Sequence, residues 1–234
     1  MLFAAQLTAQ WNWQQPRPQG NDLWKVSFAP LSTTGWAVGG AGIIAVTSDA
    51  GATWTTQESG VDDFLRGTCA VSVSQAWAVG DNGRVLLTND GGMSWSSQAS
   101  GTTAGINQLY AVSASEAWFV GDAGMIRYTA NAGATWSAQT SGSSNNINDV
   151  AFTSATNGIC VGASKTVLRT TNGGVNWSQV SISGPGSYDL IGVYFLNASL
   201  GWAAGTFGSI LRTTNGGVSW TRTPATHAER AARS

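Results

Sequence analysis

Five aspartates fall in segments where a reaction on a sugar could be catalysed. Asp62, Asp63 and Asp149 lie in or near connections that lead into apolar runs. Asp81 and Asp122 each follow a glycine in a Gly-Asp-x-Gly turn. A glycosidase needs two carboxyl groups that face each other across the scissile bond. Short acidic side chains in turns ordinarily bond to their own backbone. We therefore favour solvated turn residues, with a carboxylate pair as the alternative.

The sequence does not contain the residues that other kinds of catalysis require. His227 is the only histidine and stands close to the C-terminal end, so neither a Ser-His-Asp triad nor a His-ligated zinc is available. Cys69 and Cys160 are 91 positions apart and fit no metal-binding spacing, and we interpret both as small buried hydrophobes. The glycine-rich segments lie between predicted strands, and none opens a helix as a phosphate loop would. The sequence predicts no catalytic residue, no metal site and no cofactor.

The elements that would position these residues repeat along the chain. A fixed period of about 20–50 residues is typical of solenoids, propellers and arrays. One series has a spacing of 41 residues and a last step of 43: Trp13, Trp54, Trp95, Trp136, Trp177 and Trp220. A second series shares this spacing: Trp36, Trp77, Trp118, Ile159 and Trp202. Two series with a common spacing indicate a repeated structural unit.

Each unit contains four short predicted strands. An apolar alternation such as 26–28 comes first, a small-aromatic-small segment such as 35–39 second, an apolar run such as 43–46 third, and the fourth strand begins at Trp54. The turn at 80–83 is a hairpin signal between second and third strands. Four strands in about 40 residues is the geometry of a propeller blade. The predicted fold is an all-β propeller with repeats at about 23–60, 65–101, 106–142, 147–183 and 190–223.

The blade number depends on the two ends of the repeat. Trp13 marks a fourth-strand segment before the first full unit, and Trp220 marks another after the last, so both ends supply a candidate strand. Either five blades close with one spare strand, or the chain is part of a larger ring. We expect five blades, because five full units are present.

The segment between the third and fourth strands is the most specific motif. It runs from Thr47 to Trp54 in the first unit and has an Asp or Asn, a Gly and a Trp in fixed slots. The Asp or Asn accepts hydrogen bonds within its turn, the Gly tolerates positive φ, and the Trp is buried between blades. This motif resembles the Asp box of the BNR repeat, with a structural role. Its residues are Asp49, Gly51, Trp54, Asp90, Gly92, Trp95, Asn131, Gly133, Trp136, Asn172, Gly174, Trp177, Asn215, Gly217 and Trp220.

Charge and composition limit the classes of partner that we expect, and the sequence also indicates where the domain begins and ends. The net charge is −1 and the basic residues are dispersed, so nucleic acid is not expected as a partner. No apolar run approaches the roughly 18 residues of a membrane span. Residues 1–10 are expected to be a remnant of an export signal or a disordered arm, 11–223 a single propeller domain, and 224–234 a flexible tail. An exported location follows from the first of these as an expectation.

The repeat as a whole resembles the photosystem II stability/assembly factor family, also called Ycf48-like. The resemblance rests on segments such as Gly35-Trp36-Ala37-Val38-Gly39 and the box Thr171-Asn172-Gly173-Gly174-Val175-Asn176-Trp177, and it extends over about residues 11–223. It implies a propeller that acts as an assembly chaperone in photosynthetic cells, where the partner would be a membrane complex during assembly. Members of the family outside photosynthesis are usually exported proteins.

The predicted function is a non-catalytic scaffold that binds a protein through loops on one face. The connections between repeated strands differ in sequence, and loops on a rigid scaffold are where binding residues concentrate. A lectin-like propeller that binds a glycan, and a structural fragment of a larger exported repeat protein, are the alternatives. The candidate partner-binding residues are Asp63, Arg66, Asp81, Asn82, Asp122, Asp149, Tyr188 and Phe207.

Overall fold

The computed structural model describes residues 20–184 and 186–223, and these form five four-stranded antiparallel sheets. The predictions for residues 1–10 and 224–234 lie outside the described residues. The strands of the first two sheets are β1 Leu23–Phe28, β2 Gly35–Gly39, β3 Ile44–Thr47, β4 Thr55–Gln57, β5 Leu65–Ala70, β6 Ala76–Gly80, β7 Val85–Thr88 and β8 Ser96–Ser97. Those of the third and fourth are β9 Ile106–Ala111, β10 Ala117–Gly121, β11 Ile126–Thr129, β12 Ser137–Gln139, β13 Ile147–Phe152, β14 Gly158–Gly162, β15 Val167–Thr170 and β16 Ser178–Gln179. The fifth has β17 Leu190–Phe195, β18 Gly201–Gly205, β19 Ile210–Thr213 and β20 Thr221–Arg222.

The order within each sheet follows the chain, so every sheet is an up-and-down meander. We call the sheets blades one to five. Four single 3-10 turns join second to third strands: Gly40–Gly42, Asp81–Gly83, Asp122–Gly124 and Thr206–Gly208. The all-β prediction of five four-stranded blades is confirmed. No helix among the described residues is long and apolar enough to cross a membrane.

The first strands of successive blades lie side by side around a central channel. β1 contacts β5, β5 contacts β9, β9 contacts β13, and β13 contacts β17. Each of these inner strands is bulged near its start, as between Leu23 and Lys25 or between Ile147 and Asp149. Because a bulge re-aims the side chains around it, the second and third residues of each inner strand lie at the channel and its mouth.

The hydrophobic core is divided among the seams between blades. Four buried clusters each combine residues of two successive blades. At the seam of blades three and four, Trp118 stacks on Phe152 at 3.9 Å between ring centroids, and the boxed Trp177 meets Phe152 edge-on at 6.0 Å. The two tryptophan series therefore meet at the seams, where the second-strand residue of one blade packs under the box of the next.

Blades five and one form no such cluster among the described residues. Val26 is 52% exposed whereas the equivalent Val150 is 2% exposed, and Phe28 is 41% exposed whereas Phe152 is 4% exposed. On blade five, Tyr194 is exposed and Trp202 is only partly buried. We call this gap the open seam, with Val26 and Phe28 on one wall and Tyr194, Trp202 and Ala204 on the other.

A glutamine at the end of the fourth strand connects some blades through the box of the next. Gln57 donates from Nε2 to the carbonyl oxygen of Gly91 at 2.9 Å, and its Oε1 accepts from Trp95 Nε1 at 3.2 Å. Gln139 repeats both bonds with Gly173 and Trp177. Each such glutamine therefore joins two blades by two hydrogen bonds.

Replacing Gln57→Ala is expected to cost about 1–3 kcal/mol of unfolding free energy, because it leaves the partly buried indole N–H of Trp95 and the carbonyl of Gly91 without this partner. Gln98 is the matched control, since its amide bonds only to Ser96 of its own blade. Gln98→Ala should change stability by less than about 0.5 kcal/mol. Urea denaturation of the two variants measures the difference, and equal losses would contradict a role for the inter-blade bonds.

Candidate functional site

The five box turns share one hydrogen-bond pattern. In the first box, Thr47 Oγ1 and the backbone N–H of Thr53 both donate to Asp49 Oδ1, at 2.7 and 2.9 Å. The backbone N–H of Gly51 donates to Thr47 Oγ1 at 2.9 Å. In the third box, Asn131 takes the same place and its Nδ2 donates to Thr135 Oγ1. The boxes hold their own turns, and the side chains that hold them face the turn and not a ligand.

The charged boxes differ from the neutral ones in their response to acid. Hydrogen bonds from the side chain and backbone of Thr53, and from Thr47, lower the pKa of Asp49 from 3.8 to about 2. The pKa of Asp90 falls to about 2 through the equivalent bonds from Ser94 and Thr88. A carboxylate with a lowered folded-state pKa contributes stability above its unfolded pKa, and that contribution is lost as the pH falls through the folded pKa.

The double variant Asp49→Asn/Asp90→Asn is expected to be less sensitive to acid than the native protein. Asparagine already serves in boxes three to five, so the variant should match the native melting temperature near neutral pH. Between pH 4 and pH 2, across the window set by pKa values of 3.8 and about 2, the native protein should lose more. Thermal unfolding followed by circular dichroism at several pH values tests this, and parallel losses would show that the box carboxylates do not contribute.

A second group of side chains lies at one mouth of the central channel. The second residues of the five inner strands converge there with Phe64 around a cavity of about 840 Å³. Trp24 is the most exposed of them, at 66%, and packs edge-to-face on Phe64 with 5.8 Å between ring centroids. The second-position residues are Trp24, Arg66, Asn107, Asn148 and Ile191. We call this group the channel mouth.

The polar side chains of the channel mouth are fixed by hydrogen bonds to neighbouring blades. Arg66 Nη1 donates to Asn107 Oδ1 at 2.8 Å, and Asn107 Nδ2 donates to the carbonyl oxygen of Ile147 at 2.9 Å. Asn148 Nδ2 donates to the carbonyl oxygen of Leu190 at 2.8 Å. Arg66 Nη2 forms an ion pair with Asp81. A guanidinium and two amides are thus held in place beside two aromatic rings.

Asp149 lies deeper, in the wall of the channel. The sequence placed it in or near a connection, whereas the structure makes it the third residue of β13, where the bulge turns it inward. Its two carboxylate oxygens accept the backbone N–H groups of Val150 and Val193, each at 2.9 Å, and Lys25 Nζ lies 3.7 Å away. Burial raises the pKa of Asp149, while Lys25 and the backbone N–H groups act in the opposite direction. The residue therefore joins blades four and five and faces Lys25 of blade one.

The other predicted residues are distributed over the structure. Asp63 accepts from Asn82 Nδ2 and Arg84 Nε, both at 2.7 Å, beside the turn Asp81–Gly83. Burial works against the hydrogen bonds from Asn82 and Arg84, and the net effect is a lowered pKa for Asp63, with Asn82 the largest cause. These residues form a rim on blade two.

Of the remaining candidates, one joins the mouth region and two do not. Asp122 lies beside Arg66, since a Cβ added at Gly105 would lie 2.7 Å from Asp122 Oδ2 and 3.3 Å from Arg66 Nη1. Tyr188 is buried, with Lys165 Nζ and the Arg222 guanidinium each 5.4 Å from its ring centre. Phe207 is exposed on its own turn with φ of 55°. Among the predicted residues, Arg66 and Asp81 line the channel mouth, and Asp122 lies next to Arg66 outside the lining.

Sequence reasoning missed Trp24, Phe64, Asn107, Asn148 and Ile191. The signal that could have found four of them is the repeat itself, because they share one slot in the first predicted strand. Their residue types differ from blade to blade, and so no type-based motif marks that slot.

The side chains at the channel mouth are amides, a guanidinium, a carboxylate and aromatic and aliphatic groups. Asp81 is engaged by Arg66, and Asp63 by Arg84 at 2.7 Å, so these two carboxylates are ion-paired. In the described part of the chain, no group of three or more His, Cys, Asp or Glu side chains is placed to hold a metal ion. Amides and a guanidinium beside exposed aromatic surface can bind an extended polar chain by hydrogen bonds and stacking.

Solved structures with the same fold include both binding proteins and enzymes. YCF48 from Cyanidioschyzon merolae is 21% identical, with 90% of this chain and 87% of that one covered and a TM-score of 0.62. A structure of YCF48 bound to D1 peptide is 19% identical, with 89% and 82% covered and a TM-score of 0.51. An ancestral GH74 enzyme is 17% identical with a TM-score of 0.70, and the match covers 92% of this chain and 33% of the enzyme. At these identities the similarity establishes the fold alone.

Comparison at the level of sequence identifies the family, which the structural similarities do not. No curated protein sequence matches the chain significantly. The family model for the photosynthesis system II assembly factor YCF48 matches residues 63–145 and 138–228. The two matches together cover well over half of the chain, and the chain therefore belongs to the YCF48 family of photosynthesis system II assembly factors.

Proposed function

We propose that this propeller is a non-catalytic assembly scaffold that binds an extended peptide segment of a photosystem subunit at the channel mouth. The observation that carries the proposal is the convergence of five inner-strand side chains and Phe64 around one cavity. Membership of the assembly-factor family supports it. So does the existence of a YCF48 structure with a D1 peptide bound.

The side chains of the mouth suit a peptide better than a compact ligand. Trp24 and Phe64 offer aromatic surface on one side, and Asn107 and Asn148 offer amides on the other. Amide side chains pair with the N–H and C=O groups that an extended backbone presents, and aromatic residues and arginine are enriched at protein interfaces. Because the polar groups are already fixed by neighbouring blades, little side-chain entropy is lost on binding.

A non-catalytic role also agrees with the state of the carboxylates. A glycosidase of this fold needs two carboxyl groups available to the sugar, whereas Asp81 and Asp63 are each paired with an arginine. The GH74 enzymes extend well beyond the part that this chain matches, since the match covers 33% of the ancestral enzyme. The shared blade architecture therefore carries no argument for shared catalysis.

Titration of the full chain with a fluorescently labelled D1 peptide tests the proposal. We expect saturable binding that Trp24→Ala and Arg66→Gln each weaken about tenfold or more, because buried aromatic and arginine side chains at interfaces cost above about 1 kcal/mol when removed. Arg212→Ala and Met93→Ala are the controls. Both residues are exposed, and neither lines the mouth.

Two results would overturn the proposal. Binding of the peptide with the same affinity by all four variants would place the site elsewhere on the propeller. Absence of peptide binding together with saturable binding of an oligosaccharide would favour a lectin-like function instead. Thermal melting of each variant confirms that a weakened affinity is not caused by unfolding.

A further inference from the structure

A cavity of about 510 Å³ lies within the central channel, and this volume is in the range of ligand pockets. Residues of all five inner strands line it. Lys25 lines both this cavity and the cavity at the channel mouth, so the two spaces meet at its side chain. Most of the other lining residues are apolar, as Val150, Phe195 and Trp202 are. We call this space the channel cavity.

The third position of the inner strand differs from blade to blade. Blade one has Lys25 there, blade three has Gln108 and blade four has Asp149, whereas blades two and five have glycine. A Cβ added at Gly67 would overlap Gln108 Oε1, and one added at Gly192 would lie 3.7 Å from Asp149 Oδ2. The two glycines therefore leave room for the polar side chains of the neighbouring blades.

Lys25 and Asp149 place opposite charges side by side in the channel cavity. Lys25 Nζ lies 3.7 Å from Asp149 Oδ2, which is too long for a hydrogen bond, so the ammonium N–H groups can turn towards a ligand. An ionised carboxylate has about four lone-pair sites. Val150, Val193 and Gln108 occupy at most three of those on Asp149. The pair can therefore bind an acceptor at Lys25 and a donor at Asp149 at the same time.

We propose that the channel cavity is a subsite for the side-chain amide of an Asn or Gln residue in the peptide bound at the channel mouth. This inference rests on the proposed function. The amide oxygen accepts from Lys25 Nζ, and the amide N–H donates to the carboxylate of Asp149. Side chains of an extended chain project alternately to opposite faces. A peptide that lies across the mouth therefore directs one side chain past Lys25 into the channel cavity.

Other side chains suit the pair less well. A carboxylate attracted by Lys25 would be repelled by Asp149, and a cationic side chain attracted by Asp149 would be repelled by Lys25. An apolar side chain would cover both charges without bonding to either, which is costly for charged groups. A carboxamide has no net charge and carries an acceptor and a donor on one carbon atom. It therefore satisfies both members of the pair.

Variants of the labelled peptide test the subsite. Each peptide position in turn is replaced by Gln, Glu, Lys and Leu, and the affinity of the full chain for every variant is measured. At one position we expect Gln to bind at least about tenfold more tightly than the other three, because hydrogen bonds to charged groups are the stronger ones. Lys25→Met should reduce this preference to less than about threefold, since one of the two charged partners is lost.

Lys165→Met is the matched control, because Lys165 is the other lysine of the chain and lines neither cavity. It should keep the full preference for Gln. The preference is a ratio of affinities measured on one protein variant. Partial unfolding caused by the loss of Lys25 would therefore leave it unchanged.

Several results would overturn the subsite. A preference for Glu, Lys or Leu at the selected position would contradict recognition of an amide, and so would a preference for Gln that Lys25→Met leaves intact. Binding without a preference at any position would also overturn the subsite, while the peptide-binding function of the channel mouth would stand. Absence of binding by every peptide would overturn both.

Discussion

Trp118→Ala is expected to lower the unfolding free energy by about 3–5 kcal/mol, the usual cost of truncating a buried tryptophan. The indole is 1% exposed, stacks on Phe152, and packs against Tyr128 at 4.7 Å between centroids. Its Nε1 also donates to the carbonyl oxygen of Gly173, in the box of the next blade, at 3.2 Å. Guanidinium chloride unfolding measures the loss, and a change below about 1 kcal/mol would contradict the packing described, since such values are typical of less confined sites.

Phenylalanine at two equivalent positions separates the hydrogen bond from the packing. Trp118→Phe and Trp77→Phe remove the same ring atoms from residues that are both 1% exposed. Trp118 donates to Gly173, whereas Trp77 Nε1 is buried without a hydrogen-bond partner among the described residues. We expect Trp118→Phe to be the more destabilising of the two by about 1 kcal/mol, the net value of a typical hydrogen bond. Equal losses would mean that the indole bond contributes nothing.

Gly124→Ala is the second change with a large expected effect. Gly124 closes the turn Asp122–Gly124 with φ of 75°, and a Cβ added there would overlap the backbone carbonyl oxygen of Ser143. The left-handed conformation costs an L-residue about 1–2 kcal/mol, and overpacking adds about 1–3 kcal/mol. A total loss of about 2–5 kcal/mol should result from these two terms together.

Gly142 isolates the backbone contribution to this loss. Its φ is 72°, and no atom lies within 4 Å of an added Cβ. Gly142→Ala should therefore cost only the roughly 1–2 kcal/mol of the left-handed conformation. Chemical denaturation of both variants gives the comparison. If the two losses were the same, the close approach of Ser143 to Gly124 would have no energetic consequence.

The blades could be predicted from the sequence because their determinants are local and repeat. Three features recur with one period: the two tryptophan series, a glycine turn such as 80–83, and the Asp or Asn of each box. Each of them makes its contacts within its own unit or with the next one. The strand order and the number of blades follow from that period. The box residues could also be assigned a role, since their hydrogen bonds close within a few residues, as those of Asp49 do.

The channel mouth and the open seam could not be predicted in the same way. The mouth combines residues that share a slot and differ in type, such as Trp24 and Asn107, and only the ring arrangement brings them together. Tyr188 was predicted as a partner-binding loop residue, but it packs in the core cluster of blades four and five. Val26 and Phe28 have the residue types of a buried inner strand. Their exposure depends on which blade precedes them, and the pattern within a unit does not contain that information.

The division of the core among seams determines how the molecule should come apart. Each buried cluster joins only two successive blades. The apolar contacts that stabilise a blade are therefore made mainly with its neighbours in the chain, as in a linear array of repeats. A substitution in the core cluster of one seam then leaves the core clusters of the other seams unchanged. Loss of the Trp118 indole would weaken the seam of blades three and four, where the bonds from Gln139 and Asn107 remain. The unfolding transition should broaden, because the two sides of that seam would be less tightly coupled.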